Sequence, residues 1–292
     1  MIGELLSLSA AFCWAVSPVL YRKALVKVSD PVVVNLVRCT LVLPVLVAAL
    51  FLTGNSASLF KINWTSLAYL SVGVLIAGGL GDTFYYMSLK RIGAARGTAI
   101  SYSAPLFAVL FAGLILAEPV GAGVALGAAL VVFGTWLVSR NITARGSEAY
   151  EPVKGVTAAI LAATSWSLGM VFYKPAATSA GPYVAAVARM AVLTAFIAVV
   201  VAVSGRAHML KGQGMRTWLM LGVAGLIDLG LGGTLFLVSL TMVEASKAIP
   251  LSFTSPLFAT ILAFALLHEK VTWRVALGAA LIVMGAWTIT LP

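Results

Sequence analysis

The sequence predicts an all-α integral membrane protein, with ten transmembrane helices arranged as two inverted five-helix repeats. Three observations carry the prediction. The first is composition: of 292 residues, 61% are hydrophobic and 10% charged, with a mean hydropathy of +1.06. A soluble domain carries about a quarter charged residues. The second is a repeat at a fixed offset. Pro105 recurs as Pro256, 151 positions on, and Leu106, Phe107, Ala108 and Glu118 recur as Leu257, Phe258, Ala259 and Glu269 at that spacing. The third is the placement of the basic residues, whose bias reverses between the two copies.

A spanning helix needs about 20 mostly apolar residues. The apolar runs give ten spans: 3–22, 31–53, 64–89, 95–117, 120–139, 154–174, 182–204, 216–240, 246–267 and 271–290. They divide into a first repeat over 1–139, a polar linker over 140–153 and a second repeat over 154–292. The offset of 151 also joins Arg38 to Arg189, Thr83 to Thr234, Gly127 to Gly278, Gly134 to Gly285 and Trp136 to Trp287. Near the start it becomes 152, joining Gly3 to Gly155, Trp14 to Trp166 and Tyr21 to Tyr173. Asp82 and Asp228 are not mates: Asp82 matches Gly233, and Asp228 matches Ala77.

Five helices is an odd number, so two tandem copies must sit upside down relative to each other, as in many secondary transporters. Loops 1–2, 3–4, 5–6, 7–8 and 9–10 hold 14 of the 19 Lys and Arg residues, and in each repeat pair the richer loop changes place. Basic loops stay cytoplasmic, so both termini are expected outside a cell (inner) membrane. The +10 net charge then faces water and anionic head groups. It is not a nucleic-acid footprint, because no aromatic-basic pattern accompanies it. Cys13 and Cys39 lie inside apolar runs and read as buried free thiols. The first run carries Glu4 and no base before Tyr21-Arg22-Lys23, so it reads as a retained helix rather than a cleaved signal.

Small-residue-rich fourth helices carry Ser103-Ala104-Pro105-Leu106-Phe107 with Glu118, and Thr254-Ser255-Pro256-Leu257-Phe258 with Glu269. With this duplication the chain resembles the drug/metabolite transporter superfamily, and within it the EamA-type ten-helix metabolite exporters. The resemblance implies export by alternating access, a central cavity lined by helices 1–4 and 6–9, and helices 5 and 10 as outer scaffold. It leaves the substrate open.

Several residues can carry chemistry. An aspartate at a helix centre costs roughly 2.5–3.5 kcal/mol on insertion scales, so one kept there faces a cavity or a partner. Asp82 and Asp228 are either protonation sites or partners for a substrate ammonium, or structural groups capped by hydroxyls. Arg38 and Arg189 either bind a substrate carboxylate or snorkel to the interface. Trp14, Trp166, Tyr85, Tyr86, Tyr102 and Phe253, with Ser103 and Thr254, either line an aromatic cavity or pack. Pro105 and Pro256 each remove a helix hydrogen bond and kink their helices, as hinges or as fixed bends. The glycines of helices 3 and 8 allow close approach or local unwinding. Glu118 and Glu269 read as caps of helices 5 and 10, and His268 as a loop residue.

Enzyme and nucleotide-binding motifs are missing. The expected function is secondary-active export of a small metabolite, such as an amino acid, by a monomer with no cofactor and no metal. Transport is either coupled to protons through Asp228 or Asp82 or uncoupled. The partners are the substrate and the lipid bilayer, not nucleic acid. The alternatives are export of other amphipathic compounds or drugs, or a membrane-embedded enzyme or lipid-handling protein.

Overall fold

The computed structural model describes residues 1–25, 30–54, 56–139, 151–210, 214–267 and 272–291, without the side chains of 18–25, 31, 94–95 and 263–267. The predicted linker core, 140–150, and the segment with His268, Glu269 and Lys270 lie outside these residues. Among the described residues the regular elements are all helical. Hydrocarbon offers the backbone no hydrogen-bond partner, so each apolar run satisfies its own N–H and C=O groups by coiling.

Helix α1 is Ile2–Leu25 and α2 is Pro31–Leu52. Asp30 opens α2, its Oδ1 accepting from the N–H groups of Val32 and Val33 at 2.9 and 3.2 Å. Helix α3 is Trp64–Ile92, and α4 consists of Ala94–Ser101 and Ala104–Leu116. Then follow α5 (Ala122–Ser139), α6 (Pro152–Ala180), α7 (Pro182–Val203) and α8 (Met215–Met242). Helix α9 consists of Ala245–Ser252 and Ser255–Leu267, and α10 is Trp273–Thr290. Eight helical stretches among the described residues are long and apolar enough to cross a bilayer. They match the predicted spans other than 3–22 and 246–267. Those two fall on α1 and α9, whose final side chains are not described.

Two features of α3 and α8 depart from regular helix. Each has a π-helical stretch, Leu75–Gly81 in α3 and Leu226–Gly232 in α8, again 151 residues apart. A Cβ at Gly81 would lie 2.6 Å from Cδ1 of Trp166, and one at Gly232 would lie 3.0 Å from Cδ1 of Trp14. Glycine at both positions lets an indole rest directly on the backbone. π stretches of this kind occur frequently at functional sites.

The prolines act differently from expectation. Pro105 and Pro256 do not kink continuous helices. A two-residue turn interrupts each helix, at Tyr102–Ser103 and at Phe253–Thr254, and each proline is the second residue of the helix that resumes. There its missing N–H is one that a helix start leaves unpaired anyway.

Packing pairs the first half of the chain with the second. Helix α1 packs on α8 and α9, α6 on α3 and α4, α2 on α7, and α5 on α10. Small residues make this close: Ala158, Ala159, Ala162 and Ala163 of α6 are all buried. Without a hydrophobic drive between helices in lipid, such close contact is what holds a bundle. Large apolar side chains such as Leu114, Val199 and Trp287 instead point outward, where they meet lipid. Polar contacts near the helix ends fall into two sets. Asp30 meets Arg206 at 3.5 Å, and Arg91 meets Glu151 at 3.7 Å. At the opposite ends of these helices Asn63 donates to Ser179 at 3.1 Å, and Glu118 meets Lys174 at 2.7 Å.

Glu118 does not cap α5. Its carboxylate accepts from the N–H groups of Ala245 and Ser246 at 2.8 and 2.9 Å, so it caps the first part of α9. Lys174 also donates to the Val243 carbonyl at 3.0 Å, tying the end of α6 to the same junction. Burial alone would raise the Glu118 pKa. The Lys174 ammonium and the two N–H groups outweigh it and hold the carboxyl below its ordinary 4.5. Glu118→Ala is expected to cost about 1.5–3 kcal/mol, the range for hydrogen bonds to charged groups, read as thermal unfolding in detergent. A depressed folded pKa places this contribution above the unfolded value and removes it as pH falls through the folded one. The gap between wild type and variant should therefore be flat above pH 4.5 and narrow only below it.

Candidate functional site

Both π stretches and both helix breaks face one cavity of about 280 Å³. This is just under the roughly 300–1,000 Å³ of most small-molecule pockets. Helices from each half of the chain supply its walls. Ala77, Gly78 and Asp82 come from α3, and Asp228, Leu229 and Gly233 from α8. Trp14 of α1 and Trp166 of α6 line it too. The breaks in α4 and α9 contribute Tyr102, Ser252, Phe253 and Ser255.

The aromatic residues form a cluster rather than a scatter. Phe253 lies edge-on to Tyr102 at 5.5 Å, and Trp166 is 6.3 Å from both. Tyr85 packs behind Trp166 at 5.0 Å, and its hydroxyl is 2.9 Å from that of Thr98. Trp14 stacks at a tilt on the buried Phe236 at 5.6 Å. Aromatic surface of this kind binds flat or apolar groups at little cost in conformational freedom.

Four charges also reach the cavity, and they are not equivalent. Arg38 forms an ion pair with Asp228, 190 residues away, with 14% and 18% of the two side chains exposed. The backbone carbonyl of Asp228 accepts from Nε1 of Trp14 at 3.3 Å. Asp82 has a neutral partner instead: its Oδ1 accepts from Nε1 of Trp166 at 2.9 Å. Arg189 lies over the ring of Tyr173, 5.4 Å from its centre, and reaches the Leu229 carbonyl at 3.4 Å. A side chain at Gly233 would overlap the Arg189 guanidinium, so the glycine there makes its room.

Of the residues singled out from the sequence, Trp14, Arg38, Asp82, Tyr102, Trp166, Arg189, Asp228 and Phe253 line the cavity. Tyr85 supports it from behind. Tyr86 is 44% exposed and does not line the cavity, and Thr254 is buried with its hydroxyl donating to the Leu251 carbonyl at 2.7 Å. Ser103 lies in the first break and the prolines follow the breaks, and none of the three lines the cavity. Sequence reasoning missed Asn35, Tyr173, Ser252 and Ser255, which do line it. Asn35 had a legible signal, since it stands three residues before Arg38 and so on the same helix face. Among the described residues no cluster of His, Cys, Asp or Glu could hold a metal ion.

The family model of EamA-like transporters matches residues 1–140 and 153–291. The chain belongs to the EamA-like transporter family. It is a multi-pass membrane transporter and not an enzyme. This EamA-like chain is 25% identical over its whole length to an "Uncharacterized transporter" of Archaeoglobus fulgidus, covering 99% of that protein. It is 29% identical over 143 residues to a "Probable amino-acid metabolite efflux pump" of Escherichia coli, covering 47% of the chain and 48% of the relative. A solved structure described as "Crystal structure of protein" shares the fold of this EamA-like chain. The TM-score is 0.79, with 22% identity over 99% of the chain and 96% of the other.

Proposed function

We propose that this EamA-like protein is a secondary-active exporter of small metabolites, amino acids among them. It works by alternating access through the cavity between its halves, in the cell (inner) membrane, with both termini outside. The observation that carries the reading is the cavity's construction. Paired π stretches and paired helix breaks from corresponding helices converge on one space. Discontinuous helices meeting at a repeat interface are the usual build of a transporter binding site.

Inverted repeats of five helices account for the packing. Exchanging the halves turns the contact of Gly232 with Trp14 into that of Gly81 with Trp166. It likewise turns Gly3 beside Val243 into Gly155 beside Ile92. The two sets of polar contacts each join helix ends expected on one side of the membrane. A structure so nearly the same when its halves are exchanged has two near-equivalent ways of closing, one at each face. The name of the Escherichia coli relative supports an amino-acid metabolite as cargo. Asp82 or Asp228 would carry a proton if transport is proton-coupled.

The reading is tested by solute exchange in proteoliposomes. Internal load of a transported metabolite should accelerate entry of its labelled form. Absence of acceleration across amino acids, other small metabolites and amphipathic drugs would overturn it.

A further inference from the structure

The two halves of the chain are not equally closed. In the second half α7 packs against Gly233–Met242, the last part of α8. In the first half, among the described residues, α2 has no comparable contact with Asp82–Ile92, the last part of α3. Exposure agrees with packing. Phe236 and Leu237 of α8 are 1% and 0% exposed, whereas their mates on α3 are the half-buried Tyr85 and the exposed Tyr86. The charges of Asp82, Arg38 and Asp228 act on the Tyr86 hydroxyl, which places it beside the cavity. The bundle is thus shut where α7 meets the end of α8 and parted where α2 faces the end of α3.

The two arginines follow the helices that carry them. In the shut half Arg189 fills the space that Gly233 leaves, and it donates to the Leu229 carbonyl at 3.4 Å. The corresponding positions on α3 are Asp82 and Gly78, but in the parted half Arg38 backs onto α8 instead. A Cβ on Gly225 would lie 3.3 Å from that of Arg38, whose guanidinium pairs with Asp228. Asp82 meanwhile accepts from the neutral Trp166 indole, although the cation whose charge acts on it is Arg38.

Inverted halves change face by exchanging conformations, which reverses the two seams. When α2 closes on α3 as α7 now closes on α8, Arg38 reaches Asp82, the mate of Gly233. In the same exchange Arg189 goes to Ala77, the mate of Asp228. A guanidinium keeps its charge, and leaving it buried without a counter-ion is strongly unfavourable. Arg38 loses one carboxylate in this movement and gains another. This accounts for where the repeat symmetry fails. Asp228 and Asp82 have small apolar mates, Ala77 and Gly233, and they stand at the two positions that Arg38 visits.

We infer that Arg38 exchanges counter-ions as the cavity changes face, pairing with Asp228 while α2 and α3 are parted and with Asp82 when they close. The inference rests on the alternating-access reading. Trp166 is a positioning residue in it, since its indole holds Oδ1 of Asp82 at 2.9 Å.

The test is maleimide labelling of the purified full-length protein in detergent. Tyr86→Cys reports the seam that is parted here, and Leu237→Cys reports the seam that is shut. Peptide mass spectrometry locates the label, so the buried Cys13 and Cys39 can stay. Asp82→Asn keeps an acceptor for the Trp166 indole but removes the charge that awaits Arg38. It should slow the labelling of Leu237→Cys about tenfold and leave that of Tyr86→Cys the same or faster. Asp228→Asn should do the opposite, speeding Leu237→Cys about tenfold and slowing Tyr86→Cys. With Arg38→Gln also present, Asp82→Asn should move neither rate. The Asp82→Asn arm breaks no ion pair of this structure, so it decides the question even where Asp228→Asn does not fold. Labelling at both positions that Asp82→Asn leaves unmoved, or moves as much without Arg38, overturns the counter-ion exchange and leaves alternating access standing. Leu237→Cys that never labels in the otherwise unaltered protein overturns both.

Discussion

Asp228→Ala is expected to destabilise the protein by about 3–5 kcal/mol, the usual cost of removing one partner from a buried ion pair. The variant removes the ion-pair partner of Arg38, and a guanidinium does not lose its proton in proteins. Arg38→Ala should cost less, because the carboxylate it leaves can accept a proton and shed its charge. Its deficit should shrink as pH is lowered, while that of Asp228→Ala should not. Joint replacement by Arg38→Leu and Asp228→Leu should recover most of the loss, since apolar residues of similar volume often replace a buried pair without penalty. Thermal unfolding in detergent across a pH series reads all four proteins. Equal, pH-independent losses in both single variants would show that the pair contributes packing rather than charge.

The second large effect lies at the seam of α5 and α10, away from the cavity. A Cβ on Gly134 would stand 2.6 Å from the Gly278 carbonyl and 2.9 Å from the Ile282 nitrogen. Gly127 meets the Gly285 carbonyl at the same 2.6 Å. These obstacles are backbone, so they cannot rotate aside. Gly134→Ala should cost about 1–3 kcal/mol by overpacking, and Gly134→Leu more. Gly113→Ala is the control. There the added carbon would meet Val120 Cγ2 at 3.4 Å and the Glu118 carbonyl at 4.0 Å, and alanine favours helix over glycine by about 1 kcal/mol, so stability should hold or rise. Ligand binding by the folded fraction of Gly134→Ala should match wild type, because none of these glycines lines the cavity.

Some of this was legible in the sequence for physical reasons. Apolar runs of bilayer length must be helices, whatever their partners. Asp82, Asp228, Arg38 and Arg189 stood out because a charge inside such a run is expensive, and all four reach the cavity. The indoles at 14 and 166 were visible for a different reason, as repeat mates near mid-helix. Contacts were not legible. Nothing in a spacing of 190 residues pairs Arg38 with Asp228, and the offset of 151 marks the arginines as equals when their surroundings are not. Glu118 was assigned to the helix next to it in sequence, whereas packing brings the open N-terminus of α9 to its carboxylate. The glycine runs of α3 and α8 signalled irregular backbone, yet the indoles that fill the space above them come from α6 and α1. A proline predicts a lost hydrogen bond, but whether the helix bends or restarts depends on its neighbours, and here it restarts.

The most direct test of the central claim is leucine counterflow. Proteoliposomes are loaded with unlabelled leucine and diluted into a trace of the labelled form. A carrier working through this cavity predicts transient accumulation of label above its external level. No accumulation with leucine or with any other small-molecule load would contradict transport.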